Sequence, residues 1–261
     1  LLNVRDRVGS MHRLLQQLLR DTQGEEQAAR CLSCCIRTLR SLWAFDPADT
    51  TSWADAGRLL EHVKAAGRHV DHLLTEHRSS PGRLVDTYAA DLLTESALYM
   101  SMALSRFEEA SDVLQMAMRL HNCHGKPLWA NAALARTLHT QGQVARYRGK
   151  LQEASVHLEE ALDMRRRLAR RAEAHQWDVA ASLHELGVLR LKQHLLETAD
   201  SLLHESLKMK RALRGRAVAP PHARLHRFAD ESATLHQLAV AAMQAKPSRL
   251  DDAEALLREA L

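Results

Sequence analysis

The sequence predicts an all-α protein built from stacked helical repeats, and three observations carry this prediction. Helix-favouring Leu, Ala, Arg and Glu are abundant in the 261-residue chain, whereas aromatic residues make up only 4%. The stretch LEEALDMRRRL at residues 158–168 returns as LHESLKMKRAL at residues 203–213, an offset of 45 residues (203 − 158). No stretch shows the pattern of a β-strand. A helical phrase that returns at such an offset is typical of repeat arrays, in which neighbouring units share one core.

Small residues at fixed places predict that each unit is a pair of closely packed helices. Gly142 and Ala154 recur 45 residues later as Gly187 and Ala199 (187 − 142 and 199 − 154). Small side chains let two helices approach closely, and Leu at helical spacing fills the space around them. About four units are therefore expected in residues 81–261. Their marker pairs are Ala97 with Ala110, Gly142 with Ala154, Gly187 with Ala199, and Ala239 with Ala253.

These units resemble tetratricopeptide repeats, most closely those of the kinesin-light-chain type. A small residue stands near the end of each second helix (Ala161, Ser206 and Ala260), and the endings ALDMRRRL and SLKMKRAL are similar to those of that type. The bridge HQWDVAASLHELG at residues 175–187 resembles its HPDVA-SL opening, although the Pro is missing. Leu stands at positions 138, 183 and 235, where many such repeats carry Trp. The resemblance implies a right-handed superhelical solenoid of antiparallel helix pairs.

Residues 1–80 differ in pattern and are predicted to form a separate helical segment. SMHRLLQQLLRD at residues 10–21 is expected to be a short helix, and a loop at Pro47 is expected to separate two further helices. The order of His12-Arg13-Leu14, Phe45-Asp46-Pro47, Trp53 and Leu59-Leu60 resembles a junction in NB-ARC-type signalling ATPases. There, a winged-helix end leads into tetratricopeptide repeats. The resemblance implies a nucleotide-binding domain upstream, and the chain, which has no initiator Met, is expected to be an internal piece of a longer protein.

The sequence carries none of the motifs that would predict catalysis or a cofactor. It has no P-loop, G-x-G-x-x-G, G-x-S-x-G or H-E-x-x-H pattern, so we expect a non-enzymatic protein without cofactors. Cys31 and Cys34 form a C-x-x-C, but a zinc site needs a second compact ligand pair, and Cys123 lies 89 residues further on (123 − 34). No metal site is therefore expected. The thiols of Cys31, Cys34 and Cys35 are expected to pack as small apolar groups beside Ile36.

Charge and hydropathy predict a cytoplasmic protein that binds neither nucleic acid nor membranes. The net charge is only +4, and acidic and basic residues alternate along the helices. The basic run MRRRLARR at residues 164–171 lies at a predicted helix end, where cations offset the helix dipole. No apolar run approaches the ~20 residues that span a bilayer. Unpaired thiols suit a reducing compartment.

Three histidines mark a candidate peptide-binding groove. His139, His184 and His236 each lie three residues before the small marker of their first helix (142 − 139, 187 − 184 and 239 − 236). In related arrays this position points into the concave groove, so we predict that it binds an acidic peptide. The alternative is that each His fills the space between neighbouring helices. The groove is expected to include four further polar residues: Arg136, Gln143, Arg146 and Lys192.

The function predicted from these features is protein–protein interaction. The first hypothesis is a sensor or regulatory arm of a multidomain signalling ATPase. The second is a cargo or scaffold adaptor similar to a kinesin light chain, and an enzyme is a distant third. The C-terminal edge at Leu256, Leu257 and Leu261 is expected to be exposed, so that adding a further native repeat would raise the melting temperature.

Overall fold

The computed structural model describes residues 2–5, 8–11, 24–47, 49–76, 83–122, 132–214, 222–245 and 248–261. This part of the chain contains one β-hairpin, two short 3-10 turns and ten α-helices. The strands are β1 (Leu2–Arg5) and β2 (Val8–Met11). The helices are α1 (Glu25–Leu42), α2 (Trp53–Glu76), α3 (Arg83–Met102), α4 (Phe107–Asn122), α5 (Ala132–Tyr147), α6 (Leu151–Ala169), α7 (Gln176–Lys192), α8 (Leu196–Arg214), α9 (His222–Gln244) and α10 (Leu250–Ala260).

The hairpin was not expected from the sequence. β1 and β2 pair antiparallel, with Leu2 opposite Met11 and Arg5 opposite Val8. The prediction that the chain has no strands is therefore wrong. Each strand has only four residues, too few for an alternating pattern to stand out in a chain dominated by helices. Ser10 and Met11 belong to β2, and the rest of the short helix predicted there lies outside the described residues.

The close helix pairs that the small markers predict are confirmed. A Cβ placed on Gly142 in α5 would lie 2.4 Å from Leu158 Cγ and 3.3 Å from the carbonyl oxygen of Ala154 in α6. A Cβ placed on Gly187 in α7 would likewise lie 2.6 Å from Leu203 Cγ and 3.5 Å from the carbonyl oxygen of Ala199, both in α8. Only hydrogen fits at these two positions, so the glycines set the distance between the paired helices.

The turns inside three of the pairs, α3–α4, α5–α6 and α7–α8, use a left-handed residue. Gly149 has a φ of 75° between α5 and α6, and Ser105 and His194 have φ angles of 54° and 59° in the preceding and following pairs. Each turn is closed by an amide that bonds back to the end of the first helix, as Lys150 N–H does to Ala145 O at 2.9 Å. This is a common way to end a helix, and it favours glycine.

The N-terminal helices α1 and α2 pack onto the repeats rather than standing apart from them. A single hydrophobic core runs from Ile36 in α1 through Val63 in α2 to Leu93 in α3 and Leu114 in α4. The Cβ of a residue at Gly67 would lie 2.6 Å from Leu93 Cδ2, so α2 approaches α3 as closely as paired helices do. The predicted boundary at residue 81 therefore separates two sequence patterns that share one core.

An aromatic cluster ties the loop between α1 and α2 to α3. The rings of Phe45 and Tyr99 lie 5.1 Å apart, and those of Trp43 and Tyr99 lie 6.2 Å apart, both edge to face. Trp53 Nε1 donates to the carbonyl oxygen of Asp46 at 3.1 Å. These aromatic contacts thus hold the first helix pair against the second.

At the C-terminal end, α9 and α10 form the last helix pair described. Ala239 and Ala253 are buried between them, as their marker positions predict. Leu256 is half-buried against this core, whereas Leu257 is 36% exposed and Leu261 is fully exposed. The expected exposed edge is thus formed by Leu257 and Leu261, with Leu256 packed inwards.

Candidate partner-binding face

The first helices of the pairs lie side by side along the array. Each of α1, α3, α5 and α7 contacts the next first helix, whereas among the second helices only α2 and α4 make a comparable contact within the described residues. Helices that remain in contact along a curved array lie on its inner side. The first-helix face, formed by α1, α3, α5, α7 and α9, is therefore the concave surface of the array.

His139 lies between two first helices instead of on this surface. It is 8% exposed, and its Nδ1 lies 3.4 Å from Ser182 Oγ in α7. Arg165 Nη1 of α6 donates to the same Ser182 oxygen at 2.7 Å. Because a guanidinium can only donate, the Ser182 oxygen accepts from Arg165, and it also lies within hydrogen-bond distance of the His139 imidazole. Burial, followed by the nearby Arg165, lowers the pKa of His139 well below its usual value.

His184 repeats this arrangement one unit later. Its Nδ1 lies 3.0 Å from Thr234 Oγ1 in α9, and Lys210 Nζ of α8 donates to that hydroxyl at 2.8 Å. Lys210 is completely buried. The cation comes from a second helix, the hydroxyl from the next first helix and the imidazole from the preceding first helix, as in the set around Ser182.

A third set of side chains completes the series upstream. His121 Nε2 of α4 lies 3.0 Å from Thr137 Oγ1, and Thr137 Oγ1 lies 2.8 Å from Thr94 Oγ1. Burial lowers the pKa of His121 to about 4, so it meets Thr137 as a neutral imidazole. We call the three sets the polar rungs. They are His121–Thr137–Thr94, Arg165–Ser182–His139 and Lys210–Thr234–His184.

Two other predicted groove residues also connect helices. Gln143 Nε2 donates to Glu185 Oε1 at 2.8 Å, and Arg146 Nη2 lies 3.2 Å from Glu185 Oε2. Arg146 is only 7% exposed, and Gln143 is half-buried. Both side chains thus link α5 to α7 through one carboxylate, and Arg146 presents little surface to a ligand.

Arg136 lies in a chain of charges across three first helices. It is 3.6 Å from Glu95 Oε1 and 4.0 Å from Asp91 Oδ1, and Arg40 Nη2 of α1 lies 3.2 Å from Glu95. Burial raises the pKa of both Asp91 and Glu95, while the two arginines oppose this effect. The side chain of Arg136 is 47% exposed and can still reach a ligand.

A cavity of about 450 Å³ opens at the α1 end of this chain of charges. It is lined by Arg37, Arg40 and Ser41 of α1 and by Tyr88 of α3. These residues were not among the predicted site residues, because α1 carries no copy of the repeat markers and was not predicted to be a first helix. Recognising the amphipathic pattern of α1 as the first helix of an additional pair could have found them.

Lys192 and His236 are the most accessible of the remaining predicted groove residues. Lys192 ends α7, is exposed, and has no ion pair with another described residue. His236 is exposed on α9. Of the seven predicted groove residues, Arg136, Lys192 and His236 are thus exposed to solvent, Gln143 and His184 are half-buried, and His139 and Arg146 are buried. The role of these residues in peptide binding remains a prediction.

The surface features outside the groove are largely accounted for by local pairing. In the basic run, Arg165 is buried in its rung, Arg166 lies 3.4 Å from Glu205, and Arg167 lies 2.7 Å from Asp163. The thiols of Cys31, Cys34 and Cys35 are exposed on α1, so the expectation that they pack inside is wrong. The core-facing stripe of α1 is centred on Ile36, and it leaves these thiols on the flanks.

The described helices and side chains limit what else the protein could contain. No group of three or more His, Cys, Asp or Glu residues among them is placed to hold a metal ion. In the same part of the chain, no helix has the length and apolar character needed to cross a bilayer. Cys123 lies outside the described residues.

The helix pairs, the small residues between them and the curved stacking define a tetratricopeptide-like superhelical solenoid. Comparison with solved structures confirms the predicted right-handed, all-α array of antiparallel helix pairs. BtubC (BKLC) from P. vanneervenii matches with a TM-score of 0.60 and 17% identity over 91% of this chain and 90% of that protein. Two structures of a Podosopora anserina putative kinesin light chain with nearly identical TPR-like repeats match with TM-scores of 0.54 and 0.53 and identities of 18% and 17%. Both matches cover 91% of this chain and 95% of theirs.

No protein-family model matches the sequence, and no curated protein matches it. At these low identities, the solved structures establish the fold alone.

Proposed function

We propose that the protein is a repeat scaffold that binds a partner protein or peptide on its first-helix face. The observation that supports this proposal is the continuous surface that α1, α3, α5, α7 and α9 form by contacting one another; Arg136, Lys192 and His236 are exposed on these helices. Such a surface presents many side chains in fixed register to an extended or helical segment. We further propose that the protein is not an enzyme and that it acts in the cytoplasm.

The charges on this face favour an acidic ligand, but only at certain positions. Arg40, Arg136 and Arg146 already have carboxylate partners. Arg37 and Lys192 are exposed and have no ion pair with another described residue. The excess positive charge therefore lies at these two residues, and we propose that they attract acidic side chains of the ligand.

Two molecular contexts fit this scaffold. A sensor or regulatory arm of a signalling ATPase is supported by the hairpin at Leu2–Met11, since a winged-helix domain ends in a hairpin, and by the aromatic cluster around Phe45. A kinesin-light-chain-like adaptor is supported by the structural similarity to kinesin-light-chain repeats. The coding sequence upstream distinguishes them: a nucleotide-binding loop would support the ATPase arm, and a heptad coiled coil would support the adaptor.

Partner capture from the cells that make the protein tests the proposed surface. We expect Lys192→Glu to reduce the amount of each bound partner several-fold, because it reverses an exposed charge on the first-helix face. Lys208→Glu is the matched control, since Lys208 is an exposed lysine on the second helix α8. Crosslinking and mass spectrometry would measure both variants against the wild type. Equal loss in the two variants, or loss only in the control, would place the binding surface elsewhere.

A further inference from the structure

The cavity between α1 and α3 has the size of a ligand site. Its volume of about 450 Å³ falls within the range of about 300–1,000 Å³ typical of pockets for small molecules or buried side chains. It opens on the first-helix face, where α1 precedes the units with recognisable repeat markers. The pocket thus extends the proposed partner-binding surface by one helix pair.

The polar groups that line the cavity differ in whether they already have a hydrogen-bond or ion-pair partner among the described residues. Both terminal nitrogens of Arg40 are directed to Glu95, and the Ser41 hydroxyl donates to the carbonyl oxygen of Thr38 at 2.8 Å. Arg37 is exposed, and it has neither an ion pair nor a hydrogen bond with another described residue. The hydroxyl of the half-buried Tyr88 likewise has no hydrogen bond within the described residues. The groups available to a ligand are therefore a guanidinium and a phenol, both hydrogen-bond donors.

The neighbouring charges hold this arrangement in place. Glu95 lies between Arg40 and Arg136, and it fixes Arg40 at the wall of the cavity. Arg37 has no such carboxylate beside it among the described residues. A ligand group that complements the cavity must therefore supply the missing negative charge, and two oxygens on one group match the fork of a guanidinium.

We propose that this cavity, lined by Arg37, Arg40, Ser41 and Tyr88, binds an oxyanion-bearing side chain of a peptide partner, either a carboxylate or a phosphate. This inference rests on the proposed function, because it assigns one contact of a ligand that lies on the first-helix face. Arg37 pairs with the oxyanion, Tyr88 donates to it, and the aromatic ring of Tyr88 packs against the apolar stem of the side chain.

Labelled peptides of one sequence test the pocket. The probe is Ala-Gln-Leu-X-Leu-Gln-Ala with fluorescein at its N-terminus, where X is Glu, phosphotyrosine or Gln, and binding to the full chain is followed by fluorescence anisotropy at low salt. We expect one or both anionic peptides to bind at least tenfold more tightly than the Gln peptide. Arg37→Glu should abolish this preference, and Tyr88→Phe should weaken it several-fold. Equal binding of the three peptides, or no binding by any, would overturn the proposal.

Two control variants separate binding in the pocket from a general effect of surface charge and from unfolding. Arg68→Glu reverses an exposed arginine on α2, away from the cavity, and should leave the preference intact. Arg37→Gln, which removes the charge without introducing an acid, keeps the test valid if Arg37→Glu unfolds, and melting curves monitor both. Free phosphotyrosine that binds as tightly as its peptide would replace the peptide ligand with a small anion and overturn that part. If the pocket fails but Lys192→Glu still loses partners, the proposed function stands without it.

Discussion

A single hydroxyl group organises each polar rung. Ser182 Oγ accepts from Arg165 and is hydrogen-bonded to His139 Nδ1, and all three residues are buried. Its loss leaves a charged donor and an imidazole without their shared partner, which costs about 2–3 kcal/mol. We therefore expect Ser182→Ala to lower the free energy of unfolding by about that amount in urea titrations.

Two further variants serve as comparisons for Ser182→Ala. Thr137 and Thr234 occupy the position of Ser182 in the neighbouring units, so Ser182→Thr should cost less than about 1 kcal/mol. Ser201→Ala removes an exposed hydroxyl on α8 and should be neutral. A Ser182→Ala protein as stable as Ser201→Ala would mean that the rung contributes nothing.

Buried histidine makes stability depend on pH. The pKa of His121 is lowered to about 4 in the folded chain, against about 6.5 in the unfolded chain, because the imidazole is buried. The unfolded state therefore binds more protons between these pH values, and stability falls as the pH drops through this window. We expect His121 to contribute about 2 kcal/mol of this loss between pH 7 and pH 5.

Replacing His121 by Gln tests this expectation. The side-chain amide of Gln can donate or accept a hydrogen bond, so it can keep the contact with Thr137, but it does not titrate. The difference in unfolding free energy between pH 7 and pH 5 should therefore shrink in His121→Gln. An unchanged difference would show that other groups carry the pH dependence.

At the scale of residues, the sequence predicted the positions of the histidines better than their surroundings. His139 and His184 are on first helices at equivalent positions, as their spacing indicates. Their partners come from the next unit, which a single ladder of histidines does not reveal. Lys210 follows Arg165 by 45 residues (210 − 165), and the hydroxyls at 137, 182 and 234 recur in step. Reading these three ladders together would have predicted the rungs.

The glycine markers set the fit between paired helices. In an isolated helix, Gly187→Ala would be favourable by about 1 kcal/mol. Here its methyl group would lie 2.6 Å from Leu203 Cγ, and Leu203 is completely buried. The crowding should cost about 1–3 kcal/mol, so we expect the substitution to destabilise the protein or at best to leave it unchanged. Thermal unfolding followed by circular dichroism measures the sign, and a clear rise in melting temperature would contradict the close fit.

In the turns, unlike in the paired helices, introducing a glycine should stabilise the protein. His194 adopts a left-handed conformation with a φ of 59°, where Gly149 stands one unit earlier. A side chain in this region costs about 1 kcal/mol, so His194→Gly should stabilise the protein by about 0.5–1 kcal/mol. Gly149→Ala should destabilise it by a similar amount, measured in the same urea titrations. A loss of stability in His194→Gly would indicate a role for the side chain beyond the turn.

The elements that repeat were predictable, and those that do not repeat were not. The markers placed α3 to α10 in pairs because the same packing problem is solved four times. The hairpin β1–β2 and the stacking of α1 occur once and depend on contacts with distant residues, such as Phe45 with Tyr99. The pocket could not be predicted for the same reason, since Arg37 lies in the non-repeating N-terminal segment and Tyr88 lies in the first helix of the repeats.

A destabilising substitution at one end of the array should promote unfolding mainly in the neighbouring helices. Ile36 in α1 is completely buried in the core shared by α1 to α4, whereas the clusters around Leu183 and Leu235 are separate. Ile36→Ala should cost about 2–4 kcal/mol, and in a one-dimensional array this loss falls mainly on neighbouring units. Amide hydrogen exchange should accelerate in α2 and α3 and change little in α7 and α8. Uniform acceleration would show that the chain unfolds as one cooperative unit.

The order of the helices that build the polar rungs has a consequence for how such a chain can grow. In every rung a nitrogen-bearing side chain of a second helix meets a hydroxyl of the following first helix. Copying one whole period in place, such as α7–α8, would put Lys210 opposite the Ser182 of the new copy, and would thus create a working joint. Copying a single helix would place two helices of the same kind in succession, and one of them would lack its partner group. Lineages that lengthen this array by duplication are therefore expected to add helices two at a time.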